Sequence, residues 1–95
     1  MTDELSNTFL SNTFQRYIQL VKLLPTKPSD SDLLILYGFY KQATVGNCNT
    51  AKPNAIFDMK SYRKWNAWKS AENIDKDESM RNYIVKVNDL MNLHK

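Results

Sequence analysis

Tyr37, Tyr40 and Lys41 fall within about one turn of a single helical stretch. Lys60, Arg63 and Lys64 occupy the first turns of a second stretch, Lys22 lies late in an earlier one and Tyr83 early in a later one. Lysine ammoniums and phenol hydroxyls donate hydrogen bonds to phosphate oxygens, and a tyrosine ring offers a flat face on which a base can stack. Together these residues suit a nucleotide-like anion. Taken singly, each has a plainer role. A helix lysine is ordinarily a solvated charge, and a helix tyrosine is ordinarily core with its hydroxyl at the rim.

Catalytic constellations do not stand out. Cys48 is the only cysteine, so no internal disulfide can form and a reducing compartment is the simpler expectation. A thiol nucleophile would need a basic partner, and the single histidine is His94, near the C-terminal end. No HxxxH, CxxC or paired-carboxylate spacing shares a face. Neither a Walker loop nor GxGxxG occurs. Asp75, Asp77 and Glu78 cluster at a helix start, where they read as capping and dipole charges. The expectation is a non-enzymatic protein without metal or cofactor.

The elements that must position these side chains are helices. Two glycines and three prolines in 95 residues leave room for long helical runs. The length suits one domain, able to bury roughly 60–65% of its unfolded surface. Phe14, Tyr17, Ile18, Val21 and Leu24 share one face of a first helix spanning about 7–24, which Pro25 and Pro28 stop. A second helix runs from Ser29 or Asp30 to about Val45 and carries two stripes. Leu33, Leu36, Tyr40 and Ala43 make one, and Leu34, Tyr37 and Lys41 the other, so two neighbours are expected: the core, and either a ligand or another helix. Gly38 inside this helix costs about 1 kcal/mol relative to alanine and reads as a close helix–helix approach. Gly46 ends the helix.

The connection from Gly46 to about Asp58 exceeds the roughly 2–8 residues that an antiparallel pair needs. It can carry the chain back along the bundle, leaving the second and third helices parallel. The third helix covers about 60–72 with Trp65 and Trp68 on one face, and Asn73 supplies a left-handed stop. Asp75 caps the fourth, with Glu78 placed as in a capping box. Met80, Tyr83, Ile84, Val87, Leu90 and Met91 form its apolar stripe. Strand signals are weak throughout, so the fold class is an all-α four-helix bundle.

Residues 37–50 begin Tyr-Gly-Phe-Tyr-Lys-Gln-Ala-Thr-Val-Gly, which resembles the acyl-CoA-binding protein signature Y-x-x-Y-K-Q-A-T-x-G. Lys64-Trp65-Asn66-Ala67-Trp68 is similar to the family's K-W-x-A-W segment. Met80 to Val87 looks like its A-M-x-x-Y-I-x-K-V segment, with Ser79 in place of the alanine, and Thr26-Lys27-Pro28 matches its first turn. The resemblance covers roughly residues 14–91. It implies an up-down-down-up bundle with a long loop between helices two and three, holding one medium- to long-chain fatty acyl-CoA. Carried over by position, Tyr37, Lys41 and Lys64 hold the 3′-phosphate of the CoA ribose. Tyr40 and Tyr83 pack on or near the adenine, and Lys22 lies by the nucleotide head. Phe14, Ile18, Val21 and Leu34 line the acyl chain's path. The family expectation is a monomeric carrier that transports these esters and maintains their pool.

This chain departs from the family pattern in places. Tyr17 and Ile18 stand where small residues are usual, Asn47 where an acid is usual, and Asn73 where glycine is usual. One extra residue falls between Pro53 and Lys60, and residues 1–9 form an N-terminal extension. The net charge of +3, spread among acids, is low for a nucleic-acid binder, so no nucleic-acid partner is expected. No apolar run nears the roughly 20 residues that span a bilayer, and no signal peptide or lipidation box is present. A cytoplasmic protein making at most transient membrane contact is the expectation.

Overall fold

The structure, a computed structural model, describes residues 2–92. His94 lies outside them. Four helices follow one another: α1 (Thr2–Val21), α2 (Asp30–Thr44), α3 (Met59–Ser70) and α4 (Lys76–Asn92). Helix α1 begins earlier than Asn7 and takes in most of the N-terminal extension, where no proline or glycine interrupts. It ends before Leu24. Pro25 disfavours helical geometry at Leu24, and the amides of Lys22, Leu23 and Leu24 turn to the carbonyls of Gln19, Leu20 and Val21, three residues back.

Local chemistry sets the other ends. Ser29 Oγ accepts the Asp32 amide at 3.1 Å and caps α2. Gly46, at φ 101°, takes the left-handed position that closes it. Asp58 Oδ1 accepts the Ser61 amide at 3.2 Å, so α3 starts at Met59. Asn73 stands at φ 72°, a left-handed conformation that asparagine tolerates. Asp75 Oδ1 accepts the Glu78 amide at 2.7 Å and caps α4, while Glu78 Oε1 turns to Arg81 at 3.5 Å rather than completing a box.

Three helix pairs pack among the described residues: α1 with α4, α4 with α2, and α2 with α3. Their directions follow from side-chain pairs. Phe14 meets Tyr83 and Tyr17 meets Asn88, so α1 and α4 are parallel. Asp32 pairs with Lys86 at 2.8 Å, whereas Gln42 reaches the Ile74 carbonyl, so α2 and α4 are antiparallel. Lys64 covers Tyr37 and Trp68 lies under Lys41, so α2 and α3 are parallel. The order is up-down-down-up.

The core joins Phe14, Leu36, Ala43, Tyr83, Val87 and Leu90, with Tyr17, Ile18 and Val21 packed against it. Tyr17 does not turn away from this core. Its hydroxyl donates to Asn88 Oδ1 at 3.0 Å, tying α1 to α4. Ser79, in the position where the resemblance has alanine, is fully buried, and its Oγ has no hydrogen-bond partner among the described residues.

Among the described residues helix α3 has only α2 as a helical neighbour, and Gly38 sets their distance. A Cβ placed there would lie 2.4 Å from the Ala67 carbonyl oxygen and 2.9 Å from its carbon. Backbone cannot swing aside as a side chain can. Gly38→Ala, which in an open helix gains about 1 kcal/mol, is therefore expected to destabilise by ~1–3 kcal/mol in urea unfolding. Unchanged or higher stability would show that α3 is free to retreat. Ser79→Ala removes a buried hydroxyl without a partner and is expected to stabilise by about 1 kcal/mol. A loss of stability would mean that the hydroxyl is satisfied in solution.

Candidate functional site

The stripe of Leu34, Tyr37 and Lys41 points at α3, as its rotation away from the core stripe requires. Between the N-terminal parts of α2 and α3 lies a groove of about 650 Å³, within the roughly 300–1,000 Å³ usual for small-molecule sites. Leu33 and Leu34 give it an apolar floor, the exposed Met59 lines its edge, and Tyr37 with Lys64 stands at its other end. Lys27, Lys60 and Arg63 add positive charge along its walls, with Asp30 the single acid.

The two cations nearest the Tyr37 end rest on aromatic faces. Lys64 Nζ lies 4.9 Å from the Tyr37 ring centre, and Lys41 Nζ lies 4.7 Å from that of Trp68. Such contacts contribute roughly 0.5–2 kcal/mol each. Neither ammonium pairs with a carboxylate among the described residues, so both keep donors for an incoming anion. Both are half-buried, where water screens less.

On the other flank of α2, Tyr40 stacks on Phe14 with centroids 6.2 Å apart, and Phe14 meets Tyr83 edge to face at 5.1 Å. Tyr40 is 39% exposed and Tyr83 only 5%. Burial, and to a lesser degree the neighbouring Tyr40, pushes the Tyr83 hydroxyl above the usual tyrosine range. Lys22 is exposed just past α1, with Nζ 3.4 Å from Gln19 Oε1.

Of the residues expected at the site, the groove brings together Leu34, Tyr37 and Lys64, with Lys41 one helical turn beyond Tyr37. Tyr40 and Tyr83 both pack on Phe14 on the α1–α4 side, Tyr40 exposed and Tyr83 buried. Phe14 is buried in the core, and Ile18 and Val21 pack against it rather than line the groove. Sequence reasoning missed Lys27, Leu33 and Met59 as lining residues. Leu33 stands next to Leu34 and its signal was present, but Met59 precedes the expected start of α3, so no spacing placed it. A second groove of about 600 Å³ on the opposite α2–α3 face shares Asp30, Leu34 and Arg63 but has no lysine.

The long loop is tied down beside these cations. The indole Nε1 groups of Trp68 and Trp65 donate to the carbonyls of Gly46 at 2.7 Å and Thr50 at 2.9 Å. Asn47 Oδ1 accepts from Gln42 Nε2 and from the Asn73 amide, each at 2.8 Å, and its Nδ2 donates to Asn73 Oδ1 at 3.1 Å. The two departures at Asn47 and Asn73 are thus partners. Together they bridge the start of the loop to the turn before α4.

Residues 11–87 match the family described as Acyl CoA binding protein. An acyl-CoA-binding protein of Gossypium hirsutum is 49% identical over 81 residues, covering 85% of this chain and 90% of the relative. One of Brassica napus is 49% identical over 82 residues, covering 86% and 88%. The crystal structure of Oryza sativa Acyl-CoA-Binding Protein 2 superposes with a TM-score of 0.89 at 41% identity, over 95% of this chain and 97% of that one.

The raised Tyr83 hydroxyl gives this arrangement a test. Its neutral form is favoured by folding, so its contribution is intact below the unfolded value near 10 and is lost as pH rises through the higher folded value. An ultraviolet alkaline titration is expected to show one phenol ionising after the others, a step absent from Tyr83→Phe. A late step that survives the substitution would put the buried phenol elsewhere.

Proposed function

The chain belongs to the acyl-CoA-binding protein family, and we propose that it is a non-enzymatic carrier holding one medium- to long-chain fatty acyl-CoA in the α2–α3 groove. The observation that carries this reading is the pairing of two aromatic-seated ammoniums, Lys41 and Lys64, with an apolar groove that starts beside them at Tyr37. A CoA ester has the same two-part chemistry: phosphates at one end and hydrocarbon at the other. Tyr37, Lys41 and Lys64 receive the 3′-phosphate, while the outward Tyr40 ring offers aromatic surface to the adenine and the buried Tyr83 supports that ring through Phe14. Lys22 contributes charge from the end of α1. Leu34 leads the acyl chain along the groove floor toward Leu33 and Met59, and Phe14, Ile18 and Val21 act from behind by holding the core that shapes this face.

Charge-assisted hydrogen bonds contribute roughly 1.5–3 kcal/mol each. Burying about 14 methylenes yields at most ~11 kcal/mol, reduced by ordering costs. The head therefore selects the CoA ester from free fatty acid, and chain length tunes affinity. Carriage without chemistry fits transport and pool maintenance of these esters by a cytoplasmic monomer. No described helix is long and apolar enough to cross a membrane.

Calorimetric titration with palmitoyl-CoA, CoA and palmitate is expected to give saturable one-to-one binding of the ester, weaker binding of CoA and none of palmitate. Lys41→Ala is expected to weaken the ester about 10- to 150-fold, the equivalent of one such hydrogen bond. Palmitate binding as tight as its ester, or an unaffected variant, would refute the phosphate assignment.

A further inference from the structure

Two grooves run along the same pair of helices and meet at one seam. At Gly38 the seam is closed, because a Cβ there would lie 2.4 Å from the Ala67 carbonyl oxygen. One turn nearer the N-termini, the corresponding positions of the two parallel helices are Leu34 and Arg63. These two residues, with Asp30, line both the groove of about 650 Å³ on the Tyr37 face and the groove of about 600 Å³ on the opposite face. At this level the partition between the grooves is made of side chains rather than of touching backbones.

Both dividing side chains can yield. Leu34 is half-buried and stands outside the core cluster. Arg63 is exposed and makes no ion pair among the described residues, and its long stem has many rotamers. The grooves they divide differ in chemistry. Lys27, Lys60 and Lys64 line the Tyr37 face, whereas the opposite groove has no lysine and is walled by Ile35, Phe39, Ala67 and Ala71. Phosphate finds little to hold it there, but hydrocarbon finds apolar walls. Ile35 is 43% exposed, so this groove still has apolar surface to cover.

We propose that the groove of Ile35 and Phe39 receives the terminal part of long acyl chains, which crosses the seam between Leu34 and Arg63. The occupant is the same ligand that enters beside Tyr37, because the two grooves share these boundary residues. Leu34 and Arg63 thereby determine chain-length specificity. The proposal rests on the carrier reading and adds to it a substrate class: esters whose chains outrun the first groove find apolar cover on the far face instead of water.

Calorimetric titration with dodecanoyl-CoA and docosanoyl-CoA tests it, on the wild type and on Ile35→Trp and Asn66→Trp, two positions that line only the second groove. Each fully buried methylene is worth about fourfold in affinity. The wild type is expected to bind the longer ester at least tenfold tighter, and either indole to lower that ratio at least tenfold while changing dodecanoyl-CoA affinity less than threefold. A measurement on the wild type alone makes the answer independent of how the variants fold. A stearoyl-CoA with a nitroxide near its terminal methyl is expected to broaden the amide resonances of Phe39 and Ala71. Broadening confined to Leu33 and Met59, or folded variants that keep the wild-type ratio or lose both esters equally, would overturn the proposal and leave the carrier reading standing. Failure of the wild type to bind either ester would remove the carrier reading and this proposal with it.

Discussion

The close approach of α2 to α3 at Gly38 holds the groove together. Among the described residues helix α3 has no helical neighbour but α2, so the missing side chain at residue 38 fixes where Ala67 sits. The placement of Lys41 and Lys64 relative to each other depends on that distance. Tyr37 precedes Gly38 and Lys41 follows it on α2, while Lys64 and Trp68 flank Ala67 on α3. The two cation–aromatic contacts are cross-links between the helices as well as features of the site. A glycine that weakens its own helix thus stands where its absence of bulk permits two parallel helices to place their cations over one groove.

Parallel helices need a long return, and a long return needs anchoring. The chain supplies it with polar groups that a shorter connection would not require. Both tryptophans of α3 donate to loop carbonyls, and Gln42, Asn47 and Asn73 join α2, the loop and the α3–α4 turn. Buried backbone and amide groups are costly when unpaired, so each bond both satisfies a polar group and fixes the loop. The Asn47–Asn73 pair shows how two departures from a family pattern can be one structural event. An acid at residue 47 could accept the Asn73 amide, but it could not donate back to a side-chain oxygen as Asn47 Nδ2 does.

The site divides by burial. Tyr83 and Phe14 lie in the core and act by shape, whereas Lys41, Lys64 and Tyr40 keep partial access to solvent. Access leaves their donors open to solvent, and the aromatic faces beneath the ammoniums limit their wandering. The turn at Ile56 and Phe57 is the opposite case, hydrocarbon displayed to water by a turn that closes on the Asn54 side chain and carbonyl.

Much was legible in the sequence because it is written in local rules. The all-α class, the caps at Ser29 and Asp75, the left-handed stops at Gly46 and Asn73, and the second stripe of α2 follow from periodicity and capping chemistry. The signature at residues 37–46 and the KWNAW segment indicated the family and which side chains to watch. Helix α1 was misplaced at both ends because its start has no distinctive stop or cap and its finish is set by a constraint acting one residue before Pro25. Only the tertiary structure decided which apolar residues face the groove and which the core. Phe14, Ile18 and Val21 have the same chemistry as Leu33, Leu34 and Met59, but the packing of α1 on α4 buries Phe14 and leaves Ile18 and Val21 half-buried against the core, while the other three line the groove. A sequence states that a side chain is apolar. Which apolar surface it meets depends on helix crossings and directions, and these are fixed by contacts between residues far apart in the chain.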